Sequence, residues 1–428
     1  MTSRHFDTLE TRDPAVRERD LFRRLPSQIA HAIANAPAFA HILAGVDPHS
    51  IDSREKLASL PVTRKSSLLE LQKAARPFGG FAASGWGPDA RVRAAKVFAS
   101  PGPLYEPEGR GADYWRLGRA LVAAGFVEGD LVHNTFSYHF TPAGSMVESA
   151  AAAIGCTVIP AGTGQTELQV QAIADLKPNG YVGTPSFLRI ILEKADETGA
   201  DVSSITRALV SGEPFPPSLR DALAARGIAG YQVYATADLG CIAYESTARS
   251  GLIVDEGVIV EIVRPGTGDP VPAGEVGEVV VTTFTQDYPL IRFGTGDLSG
   301  IVVDATPAAS SSASSSVSAC GRTNVRLKGW LGRADQTTKV KGLFVHPSQV
   351  ADIVRRHPSI ARARLVVENP AGVDRMTLHC EIDSGASLPD GLAETIRDVT
   401  KLRGEVASST PGSLPNDGKV IDDVRRHE

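Results

Sequence analysis

Apolar residues recur along this chain with two periods, and the way those periods alternate predicts its elements. Near the N-terminus Phe22, Leu25, Ile29 and Ile33 fall three and four apart, so they form one stripe on a helix packed against the main domain. From Asp113 to Tyr234 helical and strand patterns alternate. Tyr114, Leu117 and Leu121 mark a helix face, and Leu131–His133 and Cys156–Ile159 read as short strands. Thr166 and Gln169 have the spacing of a capping box, ahead of a helix that buries Leu168, Ala172, Ile173 and Leu176 and stops at Pro178-Asn179-Gly180. Tyr181-Val182 starts a strand. Pro185 suits the first turn of the next helix, whose apolar face is Leu188, Ile191 and Leu192 and whose stop is Gly199. Ala208–Val210 and Gln232–Tyr234 are strands on either side of a helix ending near Gly227. Such alternation implies a parallel sheet with crossover helices. Ligands sit beyond the carboxyl ends of such strands, and Ser211-Gly212-Glu213 and Ala235–Asp238 lie at two of those ends.

Beyond residue 252 the period changes. Val258–Val260 and Glu278–Val281 are short β runs with a turn at Pro265–Asp269, predicting a small antiparallel barrel or sheet. Residues 305–319 are Ser-rich and read as a flexible surface loop. After Asp335 a small module follows, with helices at 350–356 and 389–402 and strands at 362–367 and 376–382.

Composition narrows the function classes. A chain of 428 residues has room for two or three domains, and a net charge of −5 with pI near 6.1 argues against an electrostatic nucleic-acid binder. No apolar run approaches the roughly 20 residues of a membrane span. The charged N-terminus lacks the apolar core of a signal peptide, and four widely spaced cysteines suggest no disulfide framework. The default compartment is the cytoplasm, and a homodimer is left open.

The candidate chemistry centres on Tyr288–Asp297, YPLIRFGTGD. Pro289, Leu290 and Ile291 read as a strand, and Gly294-Thr295-Gly296 reads as a turn that lets backbone approach a ligand. Asp297 stands where it can accept two hydrogen bonds from a ribose diol. Downstream come Gly332-Arg333-Ala334-Asp335 and Lys341–Gln349. Upstream come Ser211–Pro214 and Tyr234–Asp238, and Gly418-Lys419 sits at the far end.

This order and spacing resemble the AMP-forming adenylating enzymes, and within them the phenylacetate–CoA ligase family. That family's PLIRYRTGD, GRSDD and GVNVFPSQ segments are similar to the three stretches here, from about Pro61 to the C-terminus. Leu60–Thr63 and Lys65 resemble its entry into the core domain. The resemblance implies an α/β fold. Residues 1–334 would form a large N-terminal domain of mainly parallel sheets flanked by helices, with a small β-barrel-like subdomain. Residues 335–428 would form a small, mobile α+β domain that turns about Asp335.

The resemblance also implies roles. Asp297 would hold the ribose, with Arg333 near the ribose and phosphate and Gly342 also in the nucleotide site. Gly212, Glu213 and Pro214 would wall the adenine, on which Tyr234 stacks. Asp238 would carry magnesium, one methylene shorter than the family's Glu. Lys419 would close over the acyl-adenylate, and Tyr138, Phe140, Ala143 and Gly144 would line the acyl pocket. In the family a phosphate loop lies where this chain has residues 95–110. Ser100 and Gly102 match it, but Pro103-Leu104-Tyr105-Glu106 replace Thr-Thr-Gly-Lys. Such a loop works through small residues, hydroxyls and a cation, so weak ATP binding is expected. A structural metal site common in the family would fall on Ser246, Ile253 and Ser318, with Cys320 alone kept. One thiolate cannot make a closed zinc site, so no structural zinc is expected. The function implied is an acid–CoA ligase for an aryl or small carboxylic acid, using ATP, magnesium and coenzyme A. The alternatives are a catalytically weak homologue that binds an acyl or nucleotide ligand, and an adenylating enzyme that loads a carrier protein.

Overall fold

Residues 131–236 build the sheet on which the molecule is laid out. In a computed structural model the described residues are 5–86, 88, 90, 92–100, 103–303, 317–334, 336, 338–340, 343–370, 374–382 and 387–425. The strands Thr157–Pro160, Leu131–Asn134, Gly180–Gly183, Arg207–Val210 and Ala229–Thr236 lie side by side in that order, all parallel. Gly240–Tyr244, Leu252–Val254 and Arg326–Leu327 extend the sheet with antiparallel pairings to eight strands.

Both faces of the sheet are covered, as a parallel sheet requires. Successive side chains point to opposite faces. Val182 and Leu209 join one core with Leu121, Phe126, Met146 and Val147. Tyr181, Ala208 and Val210 join the other with Ile173, Leu188, Ile191 and Leu223. The crossover helices are Ala143–Ala153, Thr166–Leu176, Pro185–Thr198 and Pro217–Ala225. Thr184 caps the third of these and Gly199 ends it at φ +71°. The capping box expected from Thr166 and Gln169 does not form. Gln165 is the N-cap, and the Gln169 side chain instead meets His133 Nε2 at 2.5 Å and donates to the Gly162 carbonyl at 3.0 Å. A buried ring beside the helix outcompeted the local cap.

The chain divides into two compact units: Met1–Val260 with Val281–Phe293 and Val302–Gly329, and Glu261–Val280 with Gly294–Ile301 and Trp330–Glu428. Val258–Val263, Val276–Thr283 and Phe293–Gly300 are strands of a four-stranded sheet that also includes Thr63–Arg64. In the second unit Glu405–Ser409, Arg375–Ile382, Ile360–Glu368 and Ile421–Asp423 make another four-stranded sheet, covered by Pro347–Arg356 and Leu392–Thr400. The second helix is shorter than its sequence suggested, set between Gly391 and Lys401, both at positive φ. Of the Ser-rich stretch, residues 305–316 lie outside the described residues.

The N-terminal helix, Pro14–Asn35, buries Phe22, Leu25 and Ile29, with Ile33 half-buried. Charge holds the segment before it. Glu10, fully buried, accepts from Arg322 Nε at 2.6 Å, from the Tyr244 hydroxyl at 2.7 Å and from the Phe6 amide at 2.5 Å. Arg17 and Arg12 both reach Glu256, at 2.9 and 2.8 Å. Removing one member of a buried pair leaves the other charge stranded, which costs about 3–5 kcal/mol. Glu10→Ala is therefore expected to lower stability by that amount in urea unfolding, and Glu10→Leu with Arg322→Met to recover most of it. A cost below about 1 kcal/mol, the range of exposed pairs, would show that the network contributes little.

Candidate functional site

The carboxyl ends of the parallel strands carry the loops the sequence singled out. Asn134 ends one strand, and its side chain donates to the Tyr138 hydroxyl at 2.7 Å and to the Gly144 carbonyl at 3.1 Å. A Cβ on Gly144 would lie 3.0 Å from the Tyr138 ring, so glycine is what lets the ring pack there. Phe140 is 70% exposed, at φ +63°, edge-on to His139. Its carbonyl accepts from the Ala99 amide at 2.9 Å. Ala143 begins the helix that follows. At the next strand end, Gly212 is at φ +85° and the Glu213 carboxylate accepts from the Ser186 amide at 2.5 Å. Pro214 follows in the same exposed turn. Tyr234 is half-buried near the end of its strand. Gly183, which sequence reasoning missed, sits so close to Thr135 Oγ1 and the Tyr181 hydroxyl that a Cβ would stand 1.9 and 2.5 Å away.

The phosphate-loop region is a hairpin, Lys96–Ser100 paired with Leu104–Glu108. Ser100 and Glu106 face each other within it, the hydroxyl donating to the carboxyl at 2.5 Å. Gly102 lies outside the described residues. Glu106 is fully buried beside Asp238, whose Oδ2 receives the Lys65 ammonium. Burial first, and the Asp238 charge second, push the Glu106 carboxyl up to about 8. The same two carboxyls, after burial, raise the Tyr288 phenol. Glu106 Oε2, Asp238 Oδ1 and the Tyr288 hydroxyl are all buried without a hydrogen-bond partner among the described residues. The sequence pointed to Ser100 and Asp238. It gave Lys65 no role in this group, and a lysine after a short strand carries no signal for one.

In the second unit the Gly-Thr-Gly-Asp segment differs from its sequence reading. Pro289–Ile291 is not a strand, and the strand Phe293–Gly300 runs straight through Gly294–Asp297. Gly296 is needed for close approach rather than for a turn. It holds φ +73°, and a Cβ there would lie 2.7 Å from Arg333 Nη2. Asp297 Oδ1 accepts from Arg333 Nη1 at 2.8 Å and from the Trp330 indole at 3.1 Å. Backbone bonds fix this register: the Leu298 amide to the Gly332 carbonyl, 2.8 Å, and the Ala334 amide to the Gly296 carbonyl, 2.7 Å. Trp330 was not foreseen, because one tryptophan beside a Gly-Arg carries no ligand pattern. Asp335 and Gly342 lie outside the described residues.

Lys419 donates to Asp422 Oδ1 at 2.8 Å and remains half exposed. Gly418, at φ +72°, packs where a Cβ would strike Val276 at 2.6 Å. Gln336 clips this segment. Its Nε2 donates to the Gly418 carbonyl at 3.0 Å, and its Oε1 accepts from the Val420 and Ile421 amides at 2.5 and 2.8 Å. A cavity of about 90 Å³ beside it is lined by Arg264, Glu275, Arg362, Lys419 and Val420.

The residues that fall on the family's metal site still converge. The Ser246 hydroxyl donates to Cys320 Sγ at 3.1 Å, and Ser318 Oγ lies 3.3 Å from that sulfur. Among the described residues no group of three or more His, Cys, Asp or Glu side chains could hold a metal ion, and no helix is long and apolar enough to cross a membrane.

Comparison with known proteins matches residues 113–285 to the AMP-binding enzyme family. Over 383 residues the chain is 30% identical to a phenylacetate–coenzyme A ligase of Aromatoleum evansii, covering 85% of this chain and 81% of that one. It is 29% identical to a phenylacetate–coenzyme A ligase of Thermus thermophilus over 84% and 80%. In fold it is similar to 2-hydroxyisobutyryl-CoA ligase solved with its acyl-adenylate, with TM-score 0.69 and 23% identity over 97% and 91% of the two chains. The fold is that of an adenylate-forming ligase. The chain belongs to the phenylacetate–CoA ligase family, whose members are AMP-forming acid–CoA ligases.

With two hydroxyls and one thiol where ligands would stand, purified protein is expected to hold no stoichiometric zinc. Elemental analysis finding one zinc per chain, released on Cys320→Ser, would overturn this.

Proposed function

We propose that this chain activates an aryl or other small carboxylic acid with ATP and passes the acyl group to coenzyme A. In the first step a carboxylate oxygen of the acid attacks the α-phosphorus in line, and the bond to pyrophosphate breaks. In the second the coenzyme A sulfur attacks the acyl carbon, and the bond to AMP breaks. The observation that carries this reading is the contact of Asp297 with Arg333 across 36 residues of sequence. It supports the reading because a carboxylate able to accept from ribose hydroxyls stands beside a guanidinium able to meet phosphate.

Around that pair we assign the remaining roles. Gly212, Glu213 and Pro214 wall the adenine, Tyr234 stacks on it, and Ser100, Gly102 and Gly342 complete the nucleotide site. Tyr138, Phe140, Ala143 and Gly144 border the acyl group. Asp335 is the hinge between residues 1–334 and 335–428. Lys419 neutralises the attacking carboxylate. Asp238 fits one magnesium ligand, because Oδ1 has no partner among the described residues while Oδ2 is taken by Lys65. The ion, when bound, would neutralise phosphate charge.

Pyrophosphate exchange across a panel of aromatic acids, followed by a test for coenzyme A dependence, checks the reading. Exchange with none of the acids, or acyl transfer that proceeds only to a carrier protein, would overturn it. Charge neutralisation supplies most of the catalysis in such transfers. Lys419→Ala is therefore expected to slow adenylate formation by about 10²–10³-fold, with far less effect on thioester formation from supplied acyl-adenylate. Equal loss in both steps would refute the assigned role.

A further inference from the structure

We infer that the second unit carries a binding site of its own for a short-chain carboxylate, in the cavity beside Lys419. Binding there does not depend on the ligase reading, whereas its effect on Lys419 rests on that reading.

The cavity is closed by three stretches of the second unit: the turn that bears Arg264, the helix Pro347–Arg356 with the strand after it, and the segment 418–420. A Cβ on Gly266, at φ +89°, would lie 3.0 Å from the Ser348 nitrogen, so this turn lies directly against the first turn of the helix. Asn416 Oδ1 accepts from the Val276 amide at 3.2 Å and holds the third stretch in place. The wall is mostly apolar. Val350 and Val354, four apart on one helix face, line the cavity together with Val271, Val276 and Val420. Val271, Val354 and Val420 are only half-buried, and covering such surface is favourable.

Charge selects the head group. Arg362 donates to the Leu414 and Pro415 carbonyls at 3.1 and 2.6 Å, and Lys419 pairs with Asp422. The half-buried Arg264 has no side-chain partner among the described residues, and Glu275, which also lines the cavity, is not paired with it. Even with Lys419 neutralised by Asp422, two guanidiniums stand against one carboxylate, so the lining favours an anion. A guanidinium fork matches a carboxylate. A bare phosphate would leave the valines uncovered. An engineered apolar cavity of about 150 Å³ takes benzene, so a cavity of about 90 Å³ takes a tail of about three or four carbons, with its carboxylate at Arg264.

A ligand that binds this arrangement of residues 418–420 stabilises it by mass action. Under the ligase reading a short acid therefore holds Lys419 where it lies here and slows adenylate formation.

Hydrogen–deuterium exchange of the full chain with butyrate, read by mass spectrometry, locates the site. Protection is expected in peptides covering 264–276, 347–363 and 414–422. Butyramide, the same shape without the charge, is expected to protect none of them. Arg264→Gln is expected to weaken butyrate binding about 10- to 100-fold, and Arg264→Lys to recover part of it. No protection, equal protection by butyramide, or unchanged affinity in Arg264→Gln would overturn the inference. Pyrophosphate exchange driven by an accepted acid is expected to be slowed by butyrate in wild type and not in Arg264→Gln. Equal inhibition of both proteins would overturn the effect on Lys419. Protection as expected, with no pyrophosphate exchange for any acid, would leave the site standing and overturn the ligase reading.

Discussion

The ammonium of Lys65 enters the protein from the start of a helix and meets Asp238 beyond the end of the fifth parallel strand. Much of the first unit's site depends on that contact. It is the cation that lets one buried carboxylate stand in an apolar setting, and it leaves a second carboxyl, Glu106, without one. A low-dielectric interior makes such imbalances expensive. The hairpin keeps its acid inside with the Ser100 hydroxyl on one oxygen, and burial, with the Asp238 charge beside it, pushes that carboxyl up. Removing Lys65 would therefore disturb a carboxyl on a different element as well as its own partner.

The parallel sheet was legible because its signals are local. A strand of four residues, a helix stop at Gly199 and a proline in a first turn each declare themselves within a few positions. The failures came where a distant group decided the outcome. Gln169 has a capping spacing, but His133, 36 residues earlier, holds its side chain. Gly294-Thr295-Gly296 has the composition of a turn, yet it is strand, because glycine serves close approach as readily as reversal. The group that needs the space, Arg333, is invisible from the segment itself. The pairing of Glu10 with Arg322 spans 312 residues and has no sequence signature. Asp297 and Arg333 were found by motif, Lys65 and Trp330 only by geometry.

Ser246, Ser318 and Cys320 offer a related lesson. Their side chains still meet at hydrogen-bond distances although two of the three are hydroxyls. A small polar contact joins the three side chains, and among the described residues no metal-holding group stands there. Convergence of residues in space is thus a property of the fold, and the chemistry performed there is a property of the atoms placed on it.

Gln336 follows the proposed hinge residue by one position and grips both sides of Lys419 through a single carboxamide. Gly418 fits against Val276 and Leu298 with no room for a side chain. The chain at Gln336 and the chain that bears the lysine are therefore tied into one piece, over 82 residues of sequence but through one amide group, so that neither can shift without straining the other.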